Sequence, residues 1–349
     1  MPTPAAPISP LVPPTLDTLW FTRCPVPTAT GIAADRGWLA AEFAADGLAV
    51  RSLQDAGPDV PRDRHFTHAL TGLFREGGNV PALWARAAGE RTRLIGLTWI
   101  EERQAILVRA EDRDRIAEPG DLAGLRIAVP RRDIAIDFWR AMALAGFRGA
   151  LAAAGTGLGF GDVTPVEVVA APSAGQWIAE LEALRAGRVD AVYVKGALAV
   201  EAAAAHGAVI GIDLDAFADP AVRINNGTPR PVTVHQDLLD RHPELVVRFL
   251  RVLVEAADWA ASHPGELARI LAAETGAGPE GVAGAYRGAG SSDLHLDLSE
   301  HRLGLLARQE HFLRGQGFLA APVDVAAWAA PEPLAAAQAS AARRSAASV

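Results

Sequence analysis

The sequence predicts an α/β protein of two lobes that face each other across a cleft. Three observations predict it. Short apolar runs rich in Val, Ile and Leu alternate with helix-length amphipathic segments from about residue 16 to residue 235, the pattern of sheets covered by helices on both faces. The last third of the chain is almost wholly helical, as a return that packs on an earlier lobe would be. At 349 residues the chain is long enough for two domains.

The first apolar run is Leu19, Trp20, Phe21 and Thr22, which ends in Arg23-Cys24. Pro25 and Pro27 then fix two φ angles and remove two donors, and a helix follows from near Ala29 to residue 46. This puts Cys24, the single cysteine of the chain, in a stiff turn between a strand tip and a helix start, whose positive end favours a thiolate. The plainer reading is a small buried apolar residue at a strand end. LAVRSLQD (48–55) reads as the next strand. A polar stretch then carries His65, Phe66, His68, Phe74 and Arg75, and Gly77-Gly78 interrupts it before the helix NVPALWARAAG. RTRLIGLTWI and QAILVRA are strong strands on either side of Glu101-Glu102-Arg103.

LRIAVP, TPVEVVAAP, VDAVYVKG and AVIGIDLD continue the strand series, separated by the helices AIDFWRAMALAGF, WIAELEALRAGR and ALAVEAAAAHG. Strands and helices in this alternation predict mostly parallel sheets. GTGLGFG (155–161) lacks the Lys-Ser/Thr of a phosphate loop and follows a helix, so it reads as a turn. After VTVHQ the chain is helical to Gln316, and the Ala/Ser-rich tail beyond Trp328 reads as fraying or as a loose surface helix. The lobes expected are residues 1–124 with 231–349, and residues 125–230.

Composition narrows the function classes. Apolar residues make up 50% and charged residues 21%, with a formal net charge of −8, which argues against a nucleic-acid partner. One cysteine permits no intrachain disulfide and no cysteine-cluster metal site. No run approaches the roughly 18 apolar residues of a membrane span. The proline-rich lead-in MPTPAAPISPLVPPT has no basic or apolar region of the signal-peptide kind. The expectation from composition is a cytoplasmic protein with no cysteine-held metal; a monomer is also expected.

Arg75 reads either as a surface arginine on a loop or as a rigid donor fork that keeps its charge and suits an anion, and Gly77 or Gly78 can present backbone N–H groups. His65 suits a proton relay or an orienting partner for a thiol, with His68 in reserve. An i, i+3 histidine pair also admits a metal reading, but no carboxylate-completed ligand set accompanies it. Trp20, Phe66, Phe74, Trp99, Trp139 and Tyr193 stand near predicted strand tips or helix starts, where they either line a pocket for an apolar body or pack in the core.

FTRCPVPTA (21–29), HFTH (65–68), Arg75 with the following Gly77-Gly78, and RTRLIGLTWIEERQAILVR (91–109) resemble the 2'-hydroxybiphenyl-2-sulfinate desulfinases of dibenzothiophene desulfurisation. DLAGLRIAV (121–129), GRVDAVYV (187–194), residues 242–264 and residues 309–332 extend the resemblance over nearly the whole chain. Several of these blocks are shared with nitrate-, sulfonate- and riboflavin-precursor-type solute-binding proteins and speak to fold alone. The resemblance implies a periplasmic-binding-protein-like (type II) fold and cofactor-free hydrolysis of an aryl sulfinate to the phenolic aryl product and sulfite. It implies Cys24, His65 and Arg75 as catalytic residues and Gly77 as a backbone donor to the sulfinate. Cys24 would either protonate the ring carbon that bears sulfur or attack sulfur as a thiolate. The sequence departs from the family pattern at Val194-Lys195-Gly196, where Lys195 adds positive charge to the cleft, and at NNGTPRPV (225–232) on the pocket rim. These departures bear on the aryl group. The alternatives are a binding protein for a sulfonate-like anion and another cofactor-free enzyme on the same fold.

Overall fold

The computed structural model describes residues 16–24, 26–56, 64–68, 70–155, 157–171, 175–286 and 294–347. The proline-rich lead-in and residues 57–63 of the loop before His65 lie outside them.

Ten strands form. They are β1 (Thr18–Phe21), β2 (Ala49–Ser52), β3 (Leu73–Glu76), β4 (Thr92–Thr98) and β5 (Gln104–Arg109), then β6 (Arg126–Arg131), β7 (Thr164–Val169), β8 (Val192–Lys195), β9 (Ala208–Asp213) and β10 (Arg230–His235). A five-stranded sheet has the order β2-β1-β3-β10-β4. In it β1 runs parallel to β2 and β3, while β10 is antiparallel to both β3 and β4. The other half holds the antiparallel trio β8-β5-β9 and the parallel pair β6-β7, joined by a bridge between Ile127 and Ala191. The sheets are therefore mixed, not mostly parallel. Hydrophobic periodicity reports burial and is silent on strand direction. Direction is set by the two crossings between halves, 99–103 and 214–229, which reverse the chain.

Those crossings also shift the expected division of the chain. β5, assigned from sequence to the first lobe, pairs with β8 and β9 of the second half. Helix Glu300–Gly315 and Trp328 give Leu306, Phe312 and Trp328 to the core that holds β5 to β9, so the helical return serves both halves. The first core gathers Leu19, Phe21, Phe74 and Val232 from the large sheet under helix Pro243–Ser262. That helix buries Leu245, Val246, Phe249, Leu250 and Leu253, the i, i+3, i+4 stripe that sheet packing demands. The tail is docked and does not fray: Pro331–Ala347 is helical and buries Leu334, Ala337 and Ala341.

The helix expected over 30–46 is two, Ala29–Asp35 and Trp38–Phe43, divided at Gly37, whose φ of 71° an ordinary residue rarely adopts. No helix among the described residues is long and apolar enough to cross a membrane.

Candidate active site

A cavity of about 220 Å³ opens where the two halves meet. Cys24, His65, Phe66, Arg75, Gly78, Trp139 and Lys195, all singled out from sequence, line it. Trp177, Phe138 and Glu102, which were not, line it too, as do Asn226 and Arg230 of the rim segment 225–232.

Arg75 is the centre of its polar side. It stands in β3, fully buried. Its Nε donates to His65 O at 2.8 Å, and Nη1 and Nη2 donate to Gly78 O at 3.2 and 3.1 Å. A guanidinium has five N–H donors, so two remain after these bonds. All three acceptor contacts are to neutral carbonyls, and among the described residues Arg75 has no carboxylate partner. Burial pushes Arg75 down to about 10; Cys24 opposes that shift, and Arg230 adds to it. An anion in the cavity relieves the cost.

Cys24 follows β1 and is half-buried. Its thiol donates to Glu76 O across 3.4 Å, which seats it beside the residue that follows Arg75. The expected influence of the helix start on the thiol is not what the geometry provides. The first N–H groups are taken elsewhere: Thr30 N donates to Glu76 Oε2 at 3.1 Å and Gly31 N to Thr28 Oγ1 at 2.9 Å.

His65 lies in the one-turn helix Arg64–Thr67 and packs edge-on against Phe66 with centroids 5.0 Å apart. Its Nδ1 is buried without a hydrogen-bond partner. Burial above all, then Arg75, Arg230 and His68, lowers it to about 3, so the ring is neutral. His68 is not in the cavity. It is 1% exposed and its Nε2 is bonded to Thr233 Oγ1 at 2.8 Å.

The glycine pair divides its work. Gly77 N donates to Pro231 O at 3.2 Å, so it is tied to β10 and is not the donor that sequence suggested. A side chain there would meet the Arg75 guanidinium at 2.8 Å, so its contribution is room. Gly78 is the glycine on the cavity wall. Lys195 is on the cavity, but its charge is answered: Nζ sits 2.5 Å from Glu102 Oε1.

One wall is aromatic. Phe66 stacks on Phe138 at 6.2 Å, Phe138 meets Trp139 at 5.4 Å, and Trp139 meets Trp177 edge-on at 5.1 Å. Trp177 is fully buried with φ of 62°, and its Nε1 has no hydrogen-bond partner. Sequence marked it as the first residue of a helix; it is instead the left-handed cap before Ile178–Arg185. Four other expected aromatics point elsewhere. Tyr193 sits behind Trp177, its hydroxyl donating to Gln104 Oε1 at 2.9 Å and accepting from Asn225 Nδ2 at 2.8 Å. Phe74 stacks on Phe249 in the core at 3.8 Å. Trp99 packs with Ile224 and Leu305 and donates to Glu101. Trp20 stands on the face of β1 opposite the buried Leu19 and Phe21 and does not line the cavity. Alternation along a strand sends neighbours to opposite faces, which proximity to a strand tip does not reveal.

Arg230 was marked only as part of the rim segment 225–232, with no role of its own. It opens β10, is 4% exposed, and its Nε and Nη1 are buried with no hydrogen-bond partner among the described residues. Its signal was a lone arginine in the proline-rich stretch before a strand. Among the described residues, no group of three or more His, Cys, Asp or Glu side chains is placed to hold a metal.

The chain is similar to known proteins over most of its length. Residues 28–267 match the family described as NMT1/THI5 like. The 2'-hydroxybiphenyl-2-sulfinate desulfinases of Rhodococcus erythropolis and Rhodococcus qingshengii are each 31% identical to it over 355 residues, covering 90% of this chain and 92% of the relative. The crystal structure of the desulfurization enzyme DSZB superposes with a TM-score of 0.69 at 27% identity, over 93% of this chain and 99% of that one. A cysteine-to-serine variant of DSZB in complex with biphenyl-2-sulfinic acid gives 0.70 at 26% identity over the same shares. The periplasmic aliphatic sulphonate binding protein SsuA from Escherichia coli gives 0.67 at 16% identity, over 88% and 90% of the two chains, a likeness of fold. The periplasmic-binding-protein-like fold expected from sequence is thereby shown.

Proposed function

The chain belongs to the NMT1/THI5-like family and, within it, to the 2'-hydroxybiphenyl-2-sulfinate desulfinases, and on that premise we propose how its cavity carries out the reaction. The protein is an aryl sulfinate desulfinase that hydrolyses a carbon–sulfur bond, giving the arene and sulfite. The observation that carries this reading is the meeting of the chain's single thiol with a buried guanidinium on one small cavity.

In our reading, the two free N–H groups of Arg75 hold the sulfinate oxygens, and the aromatic wall from Phe66 to Trp177 receives the aryl body. Cys24 is the acid. Its thiol proton passes to the ring carbon that bears sulfur, a C–H bond forms, the C–S bond breaks, and its electron pair stays with the ring. Sulfur dioxide departs, water adds to it to give bisulfite and a proton, and that proton restores the thiol.

Two features favour this over attack by a thiolate. An imidazole held near 3 is too weak a base to keep the thiol proton. The N–H groups of the first helix, which would otherwise stabilise a thiolate, are occupied by Glu76 and Thr28. His65 therefore shapes the cavity and presents its carbonyl to Arg75. The relative's complex with biphenyl-2-sulfinic acid is of a cysteine-to-serine variant, and Cys24 is the one cysteine this chain has to offer.

The test is sulfite release from 2'-hydroxybiphenyl-2-sulfinate and a panel of simpler aryl sulfinates. Turnover by the wild type and its loss in Cys24→Ser support the reading. Binding of a sulfinate without sulfite release by the wild type would make this a binding protein.

A further inference from the structure

Desulfination needs one anion site, and the cavity carries a second buried arginine, Arg230. The first is Arg75 with its carbonyl partners. The second lies around Gly227, where a Cβ would stand 3.1 Å from Lys195 Nζ, 3.5 Å from Arg230 Nη2 and 3.9 Å from Glu102 Oε2. Lys195 and Glu102 are paired at 2.5 Å and cancel. Arg230 is left over: it is 4% exposed, and its Nε and Nη1 are buried with unmade hydrogen bonds.

A buried guanidinium with idle donors is among the most expensive arrangements a fold can keep. Among the described residues no side chain or carbonyl hydrogen-bonds to those two nitrogens, though the buried Glu76 carboxyl feels the charge of Arg230, and the cavity that Arg230 lines opens to a ligand. The two guanidinium groups feel each other, since Arg230 lowers Arg75, but they stand on different anchors. Arg75 is opposite Thr233 in the β3–β10 ladder, three residues from Arg230, so their Cα atoms are offset by roughly 10 Å along the strand direction. Arg75 is fixed by His65 O and Gly78 O, and Arg230 neighbours Lys195 and Glu102, so each guanidinium has its own surroundings.

We infer that the enzyme takes aryl sulfinates whose aryl body bears a second anionic substituent, a carboxylate, and that Arg230 receives it. The planar fork of Arg230 pairs with both oxygens of such a group, and the Lys195–Glu102 pair beside it supplies a further ammonium donor. Binding then places the sulfinate at Arg75 and Cys24 and the carboxylate at Arg230, with the ring against the aromatic wall. The same sequence departures that set Lys195 and the 225–232 segment apart from the family pattern build this second site. The inference rests on the desulfinase reading for its sulfinate half.

The experiment compares benzenesulfinate and biphenyl-2-sulfinate with their carboxy-substituted counterparts, reading sulfite release by wild type, Arg230→Met and Arg230→Lys. The expected result is a kcat/KM higher for the carboxylated substrates by on the order of 10- to 100-fold in the wild type, the range a charge-assisted hydrogen bond supplies. Arg230→Met brings that ratio close to one, chiefly through KM, and Arg230→Lys keeps part of it. A wild type that prefers the uncarboxylated compounds overturns the inference. So does an Arg230→Met variant that slows both classes equally, which would place Arg230 on the sulfinate itself. Calorimetric binding of the same pairs to Cys24→Ser separates the two claims. If no sulfinate is turned over but the carboxylate preference is present and depends on Arg230, the desulfinase reading fails and the second site stands. If sulfite is released without that preference, the second site fails alone.

Discussion

The thiol of Cys24 and the carbonyl of Glu76 are joined across 3.4 Å. This contact ties the turn after β1 to β3 and sets the thiol proton beside the strand that carries Arg75. It predicts a separation of binding from turnover. Cys24→Ser keeps a hydroxyl on the same carbonyl but offers a far weaker acid. Sulfite release should fall by about 10³-fold, within the range that general acids contribute, while affinity for a sulfinate stays within a few-fold. Steady-state sulfite assay and calorimetry check the two halves. Equal losses in both would mean that the thiol binds and does not react.

Gly77 lends the site room. A methyl group there would press on the Arg75 guanidinium at 2.8 Å, and that group is held by three bonds to carbonyls. Gly77→Ala should therefore lower kcat/KM by on the order of 10- to 100-fold, because an anion clamp displaced by a fraction of an ångström loses much of its effect. Thermal stability should change far less than in Arg75→Met, which strands the carbonyls of His65 and Gly78 at a cost of about 1–3 kcal/mol each. Kinetics and melting curves on the two variants give the comparison.

Trp177 couples strain to the aromatic wall. It is fully buried at φ of 62°, against Trp139 and Tyr193, with its indole N–H unmatched. Left-handed backbone at a bulky residue is costly and persists where the surroundings enforce it. Trp177→Ala should cost about 3–5 kcal/mol through the cavity it opens, whereas Trp177→Phe keeps most of that packing. A KM for biaryl sulfinates that rises in Trp177→Phe by less than in Trp177→Ala is the expected order, and the reverse order would remove Trp177 from the substrate wall.

Strand identity was legible because burial writes a pattern on sequence: LRIAVP, QAILVRA and VDAVYVKG announce themselves. Strand direction was not, since β10 reaches the large sheet antiparallel only because the chain crosses twice between halves. What the sequence marked at Cys24, Arg75 and His65 comes together on one cavity, because residue types that carry chemistry stand out. The site was opaque where function depends on which way a side chain faces. Phe74 and Tyr193 were overvalued on proximity to strand ends, and Arg230 was placed on the rim without a role because proline-flanked rim residues carry no periodic signal. Trp177 hid in a helix start, and only its backbone angle marks it as unusual.

The histidines give a pH prediction of definite sign. His65 and His68 are each lowered to about 3, burial being the largest cause and Arg75 the next. In the unfolded chain both titrate near 6.5. Below that pH the unfolded chain takes up protons that the folded one refuses, so the two residues remove stability as pH falls from about 6.5 toward 3 and remove none above it. Asp215, raised to about 6 by burial, works in the opposite sense over part of that range, so the effect is read as a difference between proteins. His65→Asn should gain stability relative to the wild type on going from pH 7 to pH 5, whatever its offset at pH 7, as denaturant midpoints will show. Because His65 stays neutral throughout, sulfite release by the wild type should carry no acid limb near 6.5 that disappears in His65→Asn. An inflection there, lost in the variant, would make His65 the proton donor and take that role from Cys24.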